Sequence, residues 1–505
     1  MKTLSKRRII FVNPPYERIA PGYDFVRHIT NRSPSLGLLQ LAAQVRSDGY
    51  SPTIIESDIE NLDPTQIARR IIDAEPAYVG ITLFTVAVWQ AAEIAAAVKR
   101  ELPGITIIVG GPHISSMGIE TMERFRPFDI AVANEGEQVL SELLPVLDRS
   151  EMPSSVRGII YRDGNQVIPT PKAPLVNNLD ALPMPAWDLL PNFPDAYLPA
   201  IFDYPKGPVA SIAASRGCPF LCKFCDTSTF GAKVRAYSPE KVFAMMKHLK
   251  ETYGIRHILF VDDLFLASRL RTMALCELLI EARLNMTWSC AARVDTVKPD
   301  ILKRMKQAGC WEISFGLETG SNELLKKMEK SARVERSEQA VQWSHEAGIR
   351  CKGLFILGYP GETPETIRMT RAFVQRIPMT TMNLSKFTPY PGSPIYRELY
   401  GTSIQDAHWR RMNGMNFVWA PEGLTVEKLD REYQRLLIAF YRQPRVTHHF
   451  ASMVLRYPTH IIRLARFGLG YAKAKTASFL SGRGGLLVKP ESPHLTEHLS
   501  DERIR

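Results

Sequence analysis

Two long stretches of this chain alternate short β-branched runs with helix-length segments, a rhythm that few folds satisfy. In the first, residues 9–12 form a buried apolar run that stops at Asn13-Pro14-Pro15. A helical stretch follows, with Leu36, Leu38, Leu39, Leu41 and Val45 on its apolar face. Runs at 53–56 and 78–82 read as strands, and an Ala-rich helix over 86–99 leads to a further run at 105–109. That run breaks at Gly110-Gly111-Pro112, and the last, 129–133, runs into Asn134-Glu135-Gly136-Glu137. Strands separated by helices predict a parallel, doubly wound sheet. Its ligand would sit outside the carboxyl ends of the strands, where these breaks fall.

The second stretch, 206–400, has strand candidates at 209–213, 257–261, 287–291, 312–315, 353–357 and 382–387, with helices such as 239–252 and 269–282 between them. Six βα units predict a partial α/β barrel, short of the eight that close a full one. Between the two stretches, apolar runs at 159–161 and 167–168 flank Asp163-Gly164, a hairpin signal. Pro169, Pro171, Pro174, Pro183, Pro185, Pro191 and Pro194 then exclude a long helix. The expected organisation is a sheet domain over 1–150, a linker over 151–205 packing across two domains, a barrel over 206–400, and a helical region over 401–505 with a frayed end.

With 45% hydrophobic and 23% charged residues, the chain is neither disordered nor fibrous. No apolar run approaches the roughly 18 residues of a membrane span. The basic start is followed by an apolar segment too short for a signal peptide, so a cytoplasmic location is expected. The net charge of +11 is uneven: residues 433–489 hold ten Lys/Arg and no Asp/Glu, leaving the rest nearly neutral. Leu429, Tyr433, Leu436, Leu437, Phe440 and Tyr441 keep helical spacing, as do Val446, Phe450, Met453, Val454 and Tyr457. Arg456, Arg463, Arg466, Lys473 and Lys475 accompany Ile461, Ile462, Leu464, Phe467 and Leu469. Such helices suit the anionic inner face of a membrane, at about 1 kcal/mol per well-placed cation. RNA phosphates attract the same charges, although a nucleic-acid partner is not expected. A helical cap with a solvated basic face is the plain structural alternative.

Of seven cysteines, Cys276, Cys290, Cys310 and Cys351 are dispersed, whereas Cys218, Cys222 and Cys225 fall within eight residues. They follow the first barrel strand, at the end where barrel chemistry occurs. Three thiolates on one loop can hold three irons of a [4Fe–4S] cluster and leave the fourth open to a chelating ligand. A structural zinc is the rival, but it asks for a fourth Cys or His at matching spacing, and none lies nearby.

The spacing Cys-x3-Cys-x2-Cys, with Phe224 before the last Cys, resembles the radical S-adenosylmethionine (SAM) superfamily. Residues 261–265 (Val-Asp-Asp-Leu-Phe) are similar to its second-strand acidic motif, 316–320 (Gly-Leu-Glu-Thr-Gly) to its fourth-strand pattern, and 353–362 to its fifth-strand segment near adenine. The resemblance implies that Asp262 and Asp263 help place the SAM amino group, that Phe224 neighbours the nucleoside, that Arg293 meets the SAM carboxylate, and that Glu318 and Gly358 belong to the SAM site. Taken singly, an acidic pair at a strand end is often a helix cap, Glu318 could be a surface carboxylate, and Gly358 a turn residue.

The first stretch resembles the Rossmann-like cobalamin-binding module that precedes the barrel in one branch of that superfamily. Asn13 and Pro14 after strand one, Gly110 and Gly111 after strand four, and Glu135 and Gly136 after strand five carry that likeness. The module's D-x-H-x-x-G motif has no counterpart, because residues 57–62 read Ser-Asp-Ile-Glu-Asn-Leu. The likeness therefore implies cobalamin held without that lower His ligand; His113, after a Gly-Gly-Pro turn, reads as a packing residue. The fold implied is a Rossmann-like doubly wound sheet, a partial (β/α)6 radical SAM barrel and a helical basic tail. The activity implied is formation of a 5′-deoxyadenosyl radical at the cluster, with an electron supplied by a donor such as flavodoxin or ferredoxin. Cobalamin-dependent C-methylation of an unactivated carbon, on a lipid or polycyclic substrate, is the expected outcome. Radical cyclisation or rearrangement with the same cofactors, and a degenerate cobalamin or iron sensor, are the alternatives. Methylthiolation of tRNA is disfavoured, since the additional N-terminal cysteine triad of those enzymes is missing.

Overall fold

A computed structural model describes residues 5–16, 29–457 and 459–480. The fifteen last residues, expected to fray, lie outside them. The first sheet contains β1 (Ser5–Asn13), β2 (Ser51–Glu56), β3 (Pro76–Thr82), β4 (Thr106–Gly110), β5 (Ile130–Val132), β6 (Ile159–Asp163) and β7 (Gln166–Pro169) in the order β2-β1-β3-β4-β5-β6-β7. The first five strands are parallel. Alternation along β1 sends Ile9 and Phe11 into one apolar layer and Ile10 and Val12 into the other, so helices cover both faces. The hairpin around Asp163-Gly164 forms as expected, but it adds to the sheet: β6 runs antiparallel to β5 and β7 to β6. An antiparallel edge on an otherwise parallel sheet is common.

The chain continues through β8 (Val209–Ile212), the two-residue ladder β9 (Ser215–Arg216) with β10 (Arg235–Ala236), β11 (His257–Phe260), β12 (Thr287–Ala292), β13 (Cys310–Glu318), β14 (Arg350–Leu357) and β15 (Thr381–Lys386). Six of these form a wholly parallel sheet in the order β15-β14-β13-β12-β11-β8. Parallel pairing forces a crossover between successive strands, and helices such as Pro239–Tyr253, Arg269–Glu281 and Val334–Glu346 supply it. Ser238 and Ser268 cap two of these through their side-chain oxygens. The apolar layer on the Ile9 face of the first sheet and the barrel core form one continuous cluster, which includes Trp187, Val242 and Met245.

Helices Val426–Tyr441, Pro444–Arg456 and Thr459–Leu480 follow. The first two bury Leu429, Leu436, Phe440, Val446 and Met453. Among the described residues no helix is long and apolar enough to cross a membrane.

Candidate active site

The cysteine loop leaves the carboxyl end of β8 through Ser215 and Arg216, and the backbone must turn sharply there. Gly217 has φ +86°, and a Cβ at this position would stand 2.5 Å from the Lys233 carbonyl oxygen, so only glycine fits. The turn places Cys218 half-buried, Cys222 buried and Cys225 exposed, all as free thiols. The Lys223 N–H donates to the Met328 carbonyl (3.0 Å) and the Ile395 N–H to the Lys223 carbonyl (3.0 Å), which fastens the loop on both sides.

Asp262 and Asp263, at the carboxyl end of β11, both hold this loop. Asp262 accepts from the Ala214 N–H (3.1 Å) and the Ser215 hydroxyl, and burial pushes its carboxyl up to about 6. Asp263 accepts from the Gly217 N–H at 2.8 Å. The pair therefore shapes the backbone around the cysteines.

Positive charge converges on Cys222. Arg293, following β12, lies with one guanidinium nitrogen 3.7 Å from the Cys222 sulfur, while another donates to the Lys330 carbonyl at 2.7 Å. Its guanidinium sits 3.5 Å from the Phe220 ring centroid and pairs with Asp295. Glu318 adopts φ +60° at the end of β13 and pairs with Lys330 at 2.6 Å, both buried. Burial works against the Lys330 charge, but Glu318 outweighs it and holds the ammonium protonated. A Cβ on Gly316 would meet both partners at 2.6 and 2.7 Å, so the missing side chain makes room for this ion pair. The Cys225 thiol, donating to Cys222, together with Lys330 and Arg293, brings Cys222 down to about 6. A thiolate at neutral pH is the form that ligates iron.

Phe224 packs edge-on to Tyr359 at 6.4 Å and lies 5.6 Å from the Lys330 ammonium. Gly358 (φ +90°) donates its N–H to Glu362 at 2.6 Å, and burial pushes Glu362 up to about 7. Cys218, Cys222, Cys225, Phe224, Arg293, Glu318 and Gly358 thus gather at one end of the sheet. Among the described residues no three His, Cys, Asp or Glu side chains are grouped around a point where one ion could bind. A cluster spreads its thiolates over separate irons and needs no such point. A groove of about 920 Å³ runs beside the loop, between Pro219–Phe220–Leu221 and the segment containing Asn322, Lys326 and Arg333; the thiols do not line it.

The carboxyl edge of the first sheet faces the same loop. Glu135 and Glu137, beyond β5, are buried against Arg216, whose guanidinium reaches Glu135 at 2.7 Å and Glu137 at 2.6 Å. Arg235 completes the set at 2.6 Å from Glu135. Burial penalises the Arg216 charge, but the two carboxylates outweigh it. Asn134 donates to the carbonyls of Ser228 and Thr229. The Asn134–Glu137 turn is therefore a clamp between the two sheets, with Gly136 packed beside Leu41.

Asn13 donates to Glu56 at 2.8 Å, and Pro14 is buried beside it. Gly111 has φ +100°, and a Cβ there would lie 3.0 Å from the Leu83 backbone; with Gly110 it lets the ends of β3 and β4 approach. His113 is wholly interior: its ring nitrogens pair with Thr85 (3.1 Å) and Thr121 (3.0 Å), and Trp409 packs on it at 4.5 Å. Burial pushes it down to about 3. Ser57 Oγ, directly after β2, and Gln90 Oε1, beyond β3, are buried without hydrogen-bond partners. Orphaned polar atoms at this edge fit the amide groups of a corrinoid, while His113 is committed to Thr85 and Thr121.

Sequence reasoning passed over Lys330, Arg216 and Arg235. Arg216 had a signal, since a cation immediately before Gly217-Cys218 must be paired once the loop is buried. Lys330 had none, because its partner is twelve residues away.

Comparison with known proteins agrees with this geometry. Residues 212–374 match the Radical SAM superfamily and residues 24–144 the B12 binding domain. The chain is 30% identical over 441 residues to an uncharacterized methyltransferase of Pyrococcus horikoshii, covering 87% of this chain and 93% of that protein. It is 27% identical to an anaerobic magnesium-protoporphyrin IX monomethyl ester cyclase of Rubrivivax gelatinosus, covering 86% and 79% respectively. The radical SAM methyltransferase TsrM of Kitasatospora setae, solved with cobalamin and a [4Fe–4S] cluster bound, shares the fold with TM-score 0.64 at 19% identity, over 78% of this chain and 75% of that one. The chain belongs to the radical SAM superfamily, in the branch that carries a B12-binding domain and whose cofactors are a [4Fe–4S] cluster, SAM and cobalamin.

Proposed function

We propose that this enzyme transfers a methyl group to an unactivated carbon of a small, lipid-like or polycyclic substrate. The observation that carries this reading is the buried clamp from Glu135 and Glu137 to Arg216, which sets the carboxyl edge of the B12-binding sheet against the cysteine loop. The cluster and SAM would supply a hydrogen-abstracting radical there, and cobalamin the methyl group. Cys218, Cys222 and Cys225 are the proposed iron ligands. Arg293 and Lys330 keep Cys222 anionic and offer cations to a carboxylate such as that of SAM. Phe224 presents a ring face for a nucleoside, and Gly358 and Glu362 shape the backbone opposite it. Asp262 and Asp263 orient the loop that carries the thiols. A flavodoxin or ferredoxin is the proposed electron donor.

Full-length protein, reconstituted anaerobically with iron, sulfide and cobalamin and then reduced in the presence of SAM, should form 5′-deoxyadenosine. Its absence refutes the enzyme reading. Candidate substrates should gain the mass of CH2, a methyl group having replaced a hydrogen. The likeness to a cyclase favours a second reading, ring closure with the same cofactors. It predicts 5′-deoxyadenosine with no methyl added to the product.

A further inference from the structure

In the helix Thr459–Leu480, up to Ala472, the two buried side chains are polar, His460 and Arg463, while Leu464 and Phe467 are half-buried and several other apolar ones are exposed. His460 and Arg463 are buried against the segment joining the two sheets. His460 Nε2 lies 3.1 Å from the Tyr204 carbonyl oxygen. The Arg463 guanidinium donates to the Pro199 carbonyl (2.9 Å), the Tyr204 hydroxyl (3.0 Å) and the Thr30 carbonyl (3.4 Å). These bonds fix the rotation of the helix. The opposite side then presents Ile461 (46% exposed), Ile462 (56%) and Leu469 (66%), with exposed Ala465, Gly468 and Ala472 on the same stripe at helical spacing. Leu455, 81% exposed at the end of the preceding helix, is a further outward apolar side chain close to it in the chain. A surface helix of a globular protein has the reverse pattern.

The charges accompanying this stripe are of one sign. Arg456 and Arg466 are exposed, and the sequence continues with Lys473, Lys475, Arg483 and Lys489, with no acidic residue from 433 to 489. Outward apolar side chains with cations and no anions are complementary to an anionic bilayer surface, where the apolar groups enter the headgroup boundary and the cations meet phosphates. No described helix can span a bilayer, so the contact is in the plane of the surface. The helix is pinned at the amino ends of the barrel strands: Arg350, the first residue of β14, donates to the Phe202 carbonyl, and Phe202 packs on His460 at 5.1 Å. The cysteine loop lies at the other end. We infer that the helix Thr459–Leu480, with Leu455 and Arg456 before it, docks the enzyme onto an anionic lipid surface through the face of the barrel opposite the cysteine loop. This contact is independent of the reaction assigned above.

Flotation of the full-length chain with vesicles of equimolar phosphatidylglycerol and phosphatidylcholine, against phosphatidylcholine alone, tests it. Protein should float with the anionic vesicles and stay at the bottom with the neutral ones. The double variant Ile462→Ser/Leu469→Ser should lower the partition about a hundredfold, and Arg456→Gln/Arg466→Gln about fivefold per charge. All four side chains are exposed, so both variants should keep the wild-type melting temperature and the same rate of 5′-deoxyadenosine formation in vesicle-free solution. Failure of the wild type to float, or equal flotation of the apolar variant, overturns the inference. So does a dimer by light scattering that the apolar variant converts to monomer without any vesicle binding, because the stripe would then be an interface between copies.

Discussion

The two ends of the barrel sheet both bury arginine and lysine against carboxylates, yet they are finished in opposite ways. At the amino end, Arg350 pairs with Glu312 (3.3 Å), Lys352 with Asp203 (2.5 Å), and Arg350 stacks on Trp311 at 4.0 Å. Residues 199–204 and the helix Pro444–Arg456 lie across this network, with Met453 against Arg350. At the carboxyl end, the Lys330–Glu318 and Arg293–Asp295 pairs sit beside a loop whose last cysteine is exposed. One set of charges seals an interior, while the other is left beside an opening with hydrogen-bonding capacity for a ligand. The same chemistry therefore serves closure at one end and, in the proposed site, recognition at the other.

The largest test of this contrast is Cys222→Ala at the carboxyl end. It should abolish 5′-deoxyadenosine formation and lower iron bound per chain after reconstitution, with little change in melting temperature; an unchanged iron content would contradict the ligand assignment. Next comes Arg216→Met, which strands Glu137 in the interior and leaves Glu135 with Arg235 alone. Breaking a buried pair costs about 3–5 kcal/mol, and here both denaturant stability and cluster incorporation should fall, because the cation adjoins Gly217 and Cys218. Arg350→Met should lose a similar amount of stability by exposing Glu312 to the same penalty. At a temperature where the variant remains folded, its KM for SAM should match the wild type. A large KM change would mean that the amino end is coupled to the site after all.

The smallest expected effect concerns pH. Glu362 is buried and pushed up to about 7, so the folded state retains its proton where the unfolded chain, near 4.5, has released it. Its contribution to stability is present below about 4.5 and is lost as pH rises through about 7, by up to about 3 kcal/mol. Glu362→Gln should remove this decline, as read from denaturation midpoints across that window. Parallel curves for the two proteins would refute the assignment.

Much of the framework was legible in the chain because period and punctuation carry local information. All six barrel strands fall where the apolar runs predicted, and the hairpin at Asp163-Gly164 forms. Its partner strand was not legible, since antiparallel addition to β5 depends on which edge of the sheet is free. The cysteine loop was readable because three thiolates in eight residues have few other uses. The duties of Glu135, Asp262 and Asp263 were not. Each was expected beside a cofactor, and each accepts hydrogen bonds from this chain. Local pattern shows that a carboxylate stands at a strand end, but its partner there is brought by tertiary packing. The tail shows the same limit: its composition announced a basic apolar helix, and only the buried His460 and Arg463 reveal which side faces out.

The Arg216 clamp has a mechanical consequence. One residue, Gly217, stands between Arg216 and Cys218, so a swing of the first sheet is passed to a proposed iron ligand through almost no intervening chain. The spacing between the two cofactor edges is thereby set by buried ion pairs rather than by whatever substrate lies between them. Drawing the two sheets apart at this point would break these buried pairs, so the clamp resists a hinge motion beside the cysteine loop.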